Sequence, residues 1–298
     1  MCSSDLRGAR VDGHTFARSV IDQGAVAVVA DHAVPDIPSI VVENTTAALG
    51  RLAQWYRLHV LRAQVVGITG SSGKTTTKDL VAQCLSGNVV AAQGSFNTEI
   101  GLPLTVLQGD TATDFLVLEM GMRGLGHIRL LADIAKPSIG VVLNVGSAHA
   151  GMMQNPEDIA QAKGELVEAL DETCSAVLNR DDPKVAAMAR VASAPVTWVG
   201  RDARSDVRAT NVELDSWGRP TFQLHVPGAS TEKVAMQCHG EHFVSSALAT
   251  AATCFLSGME AREIAERLSR AKPNSPWRMQ VETNDSNITV VKIGRAHV

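Results

Sequence analysis

Short apolar runs rich in β-branched residues alternate along the chain with longer stretches of helical spacing. "AVAVVA" (25–30) and "SIVVE" (39–43) read as strands on either side of a turn held by Pro35 and Pro38, and "TTAALGRLAQWYRLHV" (45–60) reads as a helix. "VVGIT" (65–69), "VVAA" (89–92), "FLVLEMG" (115–121) and "IGVVLNVG" (139–146) read as strands, the last two near-continuously apolar, as when a parallel sheet is covered on both faces. Helices are predicted from Lys74 to Leu85 and across 157–170, with strands at 176–179 and 196–200. Such alternation predicts an α/β fold with a doubly wound, mostly parallel sheet.

The period changes after Arg201. "DVRATNVELD", "RPTFQLHVPG" and "EKVAMQCHG" alternate polar and apolar residues, which predicts a small antiparallel β section split at Gly218 and at Pro227-Gly228. Helices return at 241–257 and 260–271, and a boundary is expected near residues 62–65, before a glycine-rich turn. "MCSSDL" and "IGRAHV" at the two ends fit neither period and resemble translated adapter DNA. They are set aside from fold reasoning, with the expectation that the chain is an internal piece of a longer protein.

Composition narrows the classes. With 298 residues, 45% of them hydrophobic, the chain can bury a large core. A formal net charge of −4 gives no case for nucleic acid or an anionic membrane. No apolar run reaches the length of a membrane span. The five cysteines (Cys2, Cys84, Cys174, Cys238, Cys254) are scattered and lack C-x-x-C spacing, so reduced thiols of a cytoplasmic protein are expected.

The stretch "VVGITGSSGKTTTKDL" (65–80) points to chemistry. The usual phosphate loop places a glycine five positions before Gly73, but Ile68 stands there, which leaves the tighter string Gly70-Ser71-Ser72-Gly73-Lys74-Thr75. Glycines let backbone N–H groups turn toward an anion, and a helix N-terminus adds its positive dipole end. Lys74 suits the β/γ phosphates and the Thr75 hydroxyl suits magnesium. A plain glycine turn is the weaker reading, because an apolar strand precedes and a helix follows. Glu119 and His149 each follow an apolar strand, which puts them at the ligand-binding edge of an open α/β sheet. Asn97 and Thr98 precede a helix start. From the residues alone, a solvated helix-surface charge and a functional lysine are about evenly balanced for Lys163, a surface arginine competes with a functional one for Arg278, and Asn179 and Asp182 read as parts of a turn before Pro183.

"TGSSGKTT" is similar to the T-G-T-x-G-K-T-T loop of the Mur ligases, the ATP-dependent amide-forming enzymes of peptidoglycan synthesis. "GSFNTEIGLPLTVL" (94–107), "LEMGMRGLGHI" (118–128), "VVLNVGSAHAG" (141–151), "AKGELV" (162–167) and "LNRDDPKV" (178–185) resemble further family segments in the family's order. "RVDGHTFARSVIDQGAVAVVAD" (10–31) resembles part of the family's N-terminal UDP-sugar-binding domain.

The resemblance implies ATP and Mg2+ as cofactors. It assigns Gly70, Ser71, Ser72, Gly73, Lys74, Thr75, Thr76 and Arg278 to the nucleotide, and Thr75, Glu119, His149 and Lys163 to magnesium. Lys74, Lys163 and His149 take catalytic roles, and Asn97 and Thr98 face the muramyl-peptide. Lys163 would be carbamylated, which requires a depressed pKa, since only the neutral amine attacks carbon dioxide. Thr98 departs from the family's asparagine. In "CHGEHFVSSALATAATC" (238–254), Phe243 and Ser246 replace two asparagines beside the adenine, and phenylalanine offers neither donor nor acceptor.

Within the family the motifs most resemble the branch that joins D-alanyl-D-alanine to UDP-N-acetylmuramoyl-tripeptide through an acyl phosphate. The sibling branch adding the diamino acid, and a nucleotide-binding piece without turnover, stay open as alternatives. The expected organisation is part of the UDP-sugar domain in 1–63 and the central ATP-binding domain in 64–298, without the C-terminal ligase domain. A monomeric protein that binds magnesium-ATP weakly and does not ligate by itself is expected.

Overall fold

A chain whose strands are apolar at consecutive positions needs cover on both sides of its sheet, and the structure supplies it. The computed structural model describes residues 3–4, 12–146, 156–272, 274–275, 280–283 and 289–292. Near the N-terminus β1 (Ser3–Ser4), β2 (Val28–Ala30) and β3 (Ser39–Val41) form a small parallel sheet in the order β1-β2-β3, with α1 (Ala17–Asp22) between the first two strands in sequence. Ser3 and Ser4, set aside on sequence, pair in parallel with Val28 and Val29. Helix α2 (Thr45–His59) is capped by Asn44, whose side chain accepts from the Ala47 amide at 2.8 Å.

The central unit follows the predicted alternation: β4 (Gln64–Thr69), α3 (Lys74–Cys84), β5 (Val89–Ala91), α4 (Gly101–Val106), β6 (Phe115–Glu119), α5 (His127–Ala135) and β7 (Ile139–Val142). It continues with α6 (Pro156–Glu168), β8 (Ser175–Asn179), α7 (Pro183–Ala187) and β9 (Val196–Gly200). Strands β10 (Val207–Leu214), β11 (Pro220–His225) and β12 (Glu232–Ala235) precede α8 (Phe243–Leu256) and α9 (Ala261–Arg270). A short antiparallel pair, β13 (Gln280–Thr283) and β14 (Thr289–Lys292), comes last.

The nine-stranded sheet runs β12-β11-β10-β9-β8-β7-β4-β6-β5. Neighbours from β5 to β10 are parallel, and β10–β11 and β11–β12 are antiparallel. The antiparallel section is thus an extension of the main sheet, because Val207 and Arg208 pair in parallel with Val199 and Gly200.

Side-chain alternation divides the core into two layers. Val66, Ile68, Val117, Val141 and Val177 pack with residues of α3, α8 and α9. Val65, Leu116, Leu118, Val142 and Leu178 pack with residues of α4, α5 and α6. Helix α2 joins the second layer. Its Gln54 Nε2 donates to the Asp133 carbonyl at 2.8 Å and its Arg57 Nε to the Ala135 carbonyl at 3.2 Å.

Several details differ from the sequence reading, among them the short helices α1 and α7, which it does not contain. Strand β7 ends at Val142 rather than Gly146, because the next residues leave the sheet to bond the glycine-rich loop. Helix α5 was not predicted, although Ile128, Leu131, Ala132 and Ala135 are buried at helical spacing. Among the described residues, no helix is long and apolar enough to cross a membrane.

Candidate functional site

From β4 the chain passes out to edge strand β5, returns to β6, and then crosses to β7 on the other side of β4. At such a switch point the loops leaving adjacent strands diverge, and a crevice opens at the carboxyl ends of the strands. The glycine-rich loop after β4 lies in that crevice, braced by the segment after β7. The Ser71 amide donates to the Asn144 carbonyl at 3.0 Å and the Ser72 amide to Asn144 Oδ1 at 3.0 Å. Asn144 Nδ2 returns a bond to the Ser72 carbonyl at 3.2 Å, and Ser71 Oγ accepts from the Gly146 amide at 2.9 Å.

Gly73 opens α3 at φ +79°, a left-handed conformation in which a side chain would be strained. It provides no side-chain cap, and the positive end of the α3 dipole lies at the loop. Lys74 Nζ donates to the Gly70 carbonyl at 2.8 Å, which folds the ammonium back over the loop.

Glu119 ends β6 and is only 2% exposed. Thr75 Oγ1 donates to its Oε2 and Asn97 Nδ2 to its Oε1, both at 2.8 Å. Asn97 is itself held by the Gly121 amide, which donates to its carbonyl at 2.9 Å. A Cβ on Gly121 would stand 3.0 Å from Asn97 Cγ, so glycine permits this approach. Thr98 turns elsewhere, its hydroxyl accepting from Gly101 at the start of α4.

Lys163 is not a surface charge. Its side chain is 1% exposed, with Nζ 3.6 Å from Met122 Sδ. Burial lowers its pKa to about 7 and the Lys74 cation pushes the same way. A substantial share of the amine is therefore neutral near physiological pH.

The donor set can be tested against magnesium. Magnesium takes hard oxygen ligands. Thr75 Oγ1 and Glu119 Oε2, joined by a 2.8 Å hydrogen bond, are two such oxygens side by side next to the phosphate loop. Their chemistry fits the ion. His149 and Arg278 lie outside the described residues.

A cavity of about 400 Å³ runs from Ser72, Gly73 and Thr76 to Asn179, His242, Phe243 and Ser246. Burial keeps the His242 imidazole below its usual pKa, and its ring tilts against Phe243 at 4.4 Å. Asn179 Nδ2 donates to the Leu143 carbonyl at 2.9 Å. Asp182 caps α7 and accepts from the Val145 amide at 2.8 Å, which makes it part of the turn, as its sequence suggests. Sequence reading missed Asn144, whose only signal is its place at the end of an apolar strand beside β4. Burial pushes the Cys84 thiol up to about 12 and Cys238 to about 11, so neither is an activated nucleophile.

Residues 68–254 match the family model described as the Mur ligase middle domain. The chain is 44% identical over 311 aligned residues to the UDP-N-acetylmuramoyl-tripeptide–D-alanyl-D-alanine ligase of Mycobacterium tuberculosis, covering 96% of this chain and 61% of that protein. A crystal structure of MurF from Acinetobacter baumannii superposes with a TM-score of 0.90 at 28% identity, over 98% of this chain and 64% of that one. MurF ligase from Thermotoga maritima in complex with ADP superposes with a TM-score of 0.84 at 28% identity, over 98% of this chain and 67% of that one. The chain thus spans 61% of the length of the mycobacterial relative it matches.

Proposed function

The chain belongs to the Mur ligase family, and from that premise we propose that it forms the nucleotide and metal centre of an ATP-dependent amide ligase in peptidoglycan precursor synthesis. The reaction joins D-alanyl-D-alanine to UDP-N-acetylmuramoyl-tripeptide, in keeping with the names of its relatives. The observation that supports this most is Glu119, a buried carboxylate bridging the phosphate-loop hydroxyl of Thr75 and the side chain of Asn97.

In this reading ATP phosphorylates the terminal carboxylate of the tripeptide, the amine of D-alanyl-D-alanine attacks the acyl phosphate, and phosphate leaves. The loop from Gly70 to Thr76 cradles the phosphates, and Lys74 offsets charge on the group in transfer. Positioning and electrostatics supply most of the catalysis of such transfers. Magnesium, when bound, would draw charge from the phosphate oxygens at Thr75 and Glu119. Asn97 orients the Glu119 carboxylate and, with Thr98, borders the side where the muramyl-peptide enters. His149 and Arg278 are assigned to metal and phosphate by resemblance. The neutral Lys163 amine can add carbon dioxide, forming an N–C bond and releasing one proton to solvent, which yields an anionic ligand for a second magnesium. We place the protein in the cytoplasm, as a monomer.

A nucleotide-binding module without turnover is the second reading. It has no use for a buried lysine of lowered pKa beside Lys74, which favours the ligase. The test is phosphate release with ATP, magnesium, UDP-N-acetylmuramoyl-tripeptide and D-alanyl-D-alanine, with the pentapeptide product followed by mass spectrometry. Release that needs both peptide substrates and is lost in Lys74→Ala supports the ligase. Magnesium-dependent ATP binding without product supports the module.

A further inference from the structure

Helix α3 does more than begin at the phosphate loop. Lys78, one turn after Lys74, is 2% exposed, and its Nζ donates to the carbonyls of Ala92 at 2.6 Å and Gly94 at 3.2 Å. It pairs at 2.9 Å with Asp79, which is also buried. Asp79 Oδ2 accepts from the Ser275 amide at 2.8 Å, and Gln83 bonds both the amide and the carbonyl of Lys272. One helix thereby holds the phosphate loop, the loop after β5 and the segment after α9.

Burying a lysine and an aspartate together is weak evidence for stability, because desolvation offsets much of their attraction. What the pair does is fix position. Residues 92–98 leave β5 at the carbonyls that accept from Lys78, turn at Gly94 with φ +58°, and deliver Asn97 to Glu119. Thr75, on the same face of α3 as Lys78, meets Glu119 directly. The contacts close a circuit from Thr75 to Glu119, Asn97, Gly94 and Lys78. A displacement of α3 at its N-terminus therefore reaches Asn97 by two routes rather than one.

We propose that Lys78, paired with Asp79, is a positioning residue that couples nucleotide binding at Gly70–Thr76 to the loop 92–98, and so to the site of the carboxylate-bearing substrate. This rests on the nucleotide reading given above. Without the Lys78 tie, only the route through Thr75 and Glu119 remains, and the response of the loop to nucleotide is weakened.

The test is hydrogen–deuterium exchange on the whole chain, free and with the magnesium complex of a non-hydrolysable ATP analogue. The comparison is between wild type and the double variant Lys78→Met/Asp79→Asn, which removes both charges and so leaves no buried ion unpaired. Asparagine keeps an acceptor for Ser275. The analogue should slow exchange at 70–77 equally in both proteins, and at 92–98 by about fivefold more in the wild type than in the double variant, within the usual range of coupling between sites. Lys78→Arg, which keeps the donors, should retain the response at 92–98. An equal response at 92–98 in the double variant, or its loss in Lys78→Arg, overturns the coupling. No slowing at 70–77 in the wild type overturns the nucleotide reading, and the coupling with it.

Discussion

The two ends of the crevice are built differently. At the phosphate end polar groups answer one another at hydrogen-bond distance: Thr75 and Asn97 on Glu119, Lys74 on the Gly70 carbonyl, Asn144 on Ser72. Two buried lysines, Lys163 and Lys78, stand behind them. At the far end, the cavity between Asn179 and Ser246 is walled by Leu143, His242 and Phe243, and among the described residues no carboxylate or lysine lines it. Charge and backbone set the first end, and shape sets the second. Substitutions should therefore cost most where a charge is lost and least where a wall changes.

Breaking the phosphate end comes first. Lys74→Ala should weaken magnesium-ATP binding by about 2–5 kcal/mol, the cost of truncating one partner of a desolvated charge pair. Calorimetric titration measures this, and an unchanged thermal midpoint would show that the fold survives.

Lys163 allows a stability measurement independent of any ligand. Its pKa is lowered from 10.5 to about 7, so between those values the unfolded chain binds a proton that the folded chain does not. Stability should rise with pH across that window, by an amount on the order of 2–4 kcal/mol, and the penalty should be fully present below it. Lys163→Met should remove the slope and be more stable than wild type at pH 6. Urea unfolding at pH 6 and pH 9.5 reads both effects, and parallel slopes in the two proteins would place Lys163 in water.

The far end, where the resemblance would put the adenine, should yield the smallest effect. Ser246→Ala removes one neutral hydroxyl from the cavity wall, which should cost less than about 1.5 kcal/mol of ATP affinity, under roughly tenfold. A larger loss, measured in the same titration, would mean that the base is gripped by specific hydrogen bonds and not by shape.

The same contrast governs what the sequence discloses. The parallel half of the sheet is legible because strands covered on both faces must be apolar throughout, as in "FLVLE" and "IGVV". The phosphate loop is legible because a strand, glycines, a lysine and a helix start are contiguous. Glu119 is legible as a carboxylate at a strand end. Lys163 is not, since its burial comes from Met122, 41 residues away, and from packing that a helical period cannot assign. Asn144 and Lys78 are likewise hidden. Their partners lie 72 and 14 to 16 residues distant, and only the order of strands brings them together. Helix α5 was readable from its spacing, but its start is obscured by the glycines at 121, 124 and 126.

If Thr75 and Glu119 hold magnesium against a nucleotide bound by the loop at Gly70–Thr76, ATP affinity must depend on the metal and on the Glu119 carboxylate. Titration of ATP into the chain with magnesium, and again with a chelator, tests it most directly, alongside Glu119→Gln. Binding should weaken without the metal by about 10–100-fold, the loss typical when a metal site is impaired. Glu119→Gln should bind ATP as weakly in magnesium as the wild type does in chelator. Equal affinity with and without magnesium, or a Glu119→Gln protein that keeps the full magnesium effect, would contradict the account.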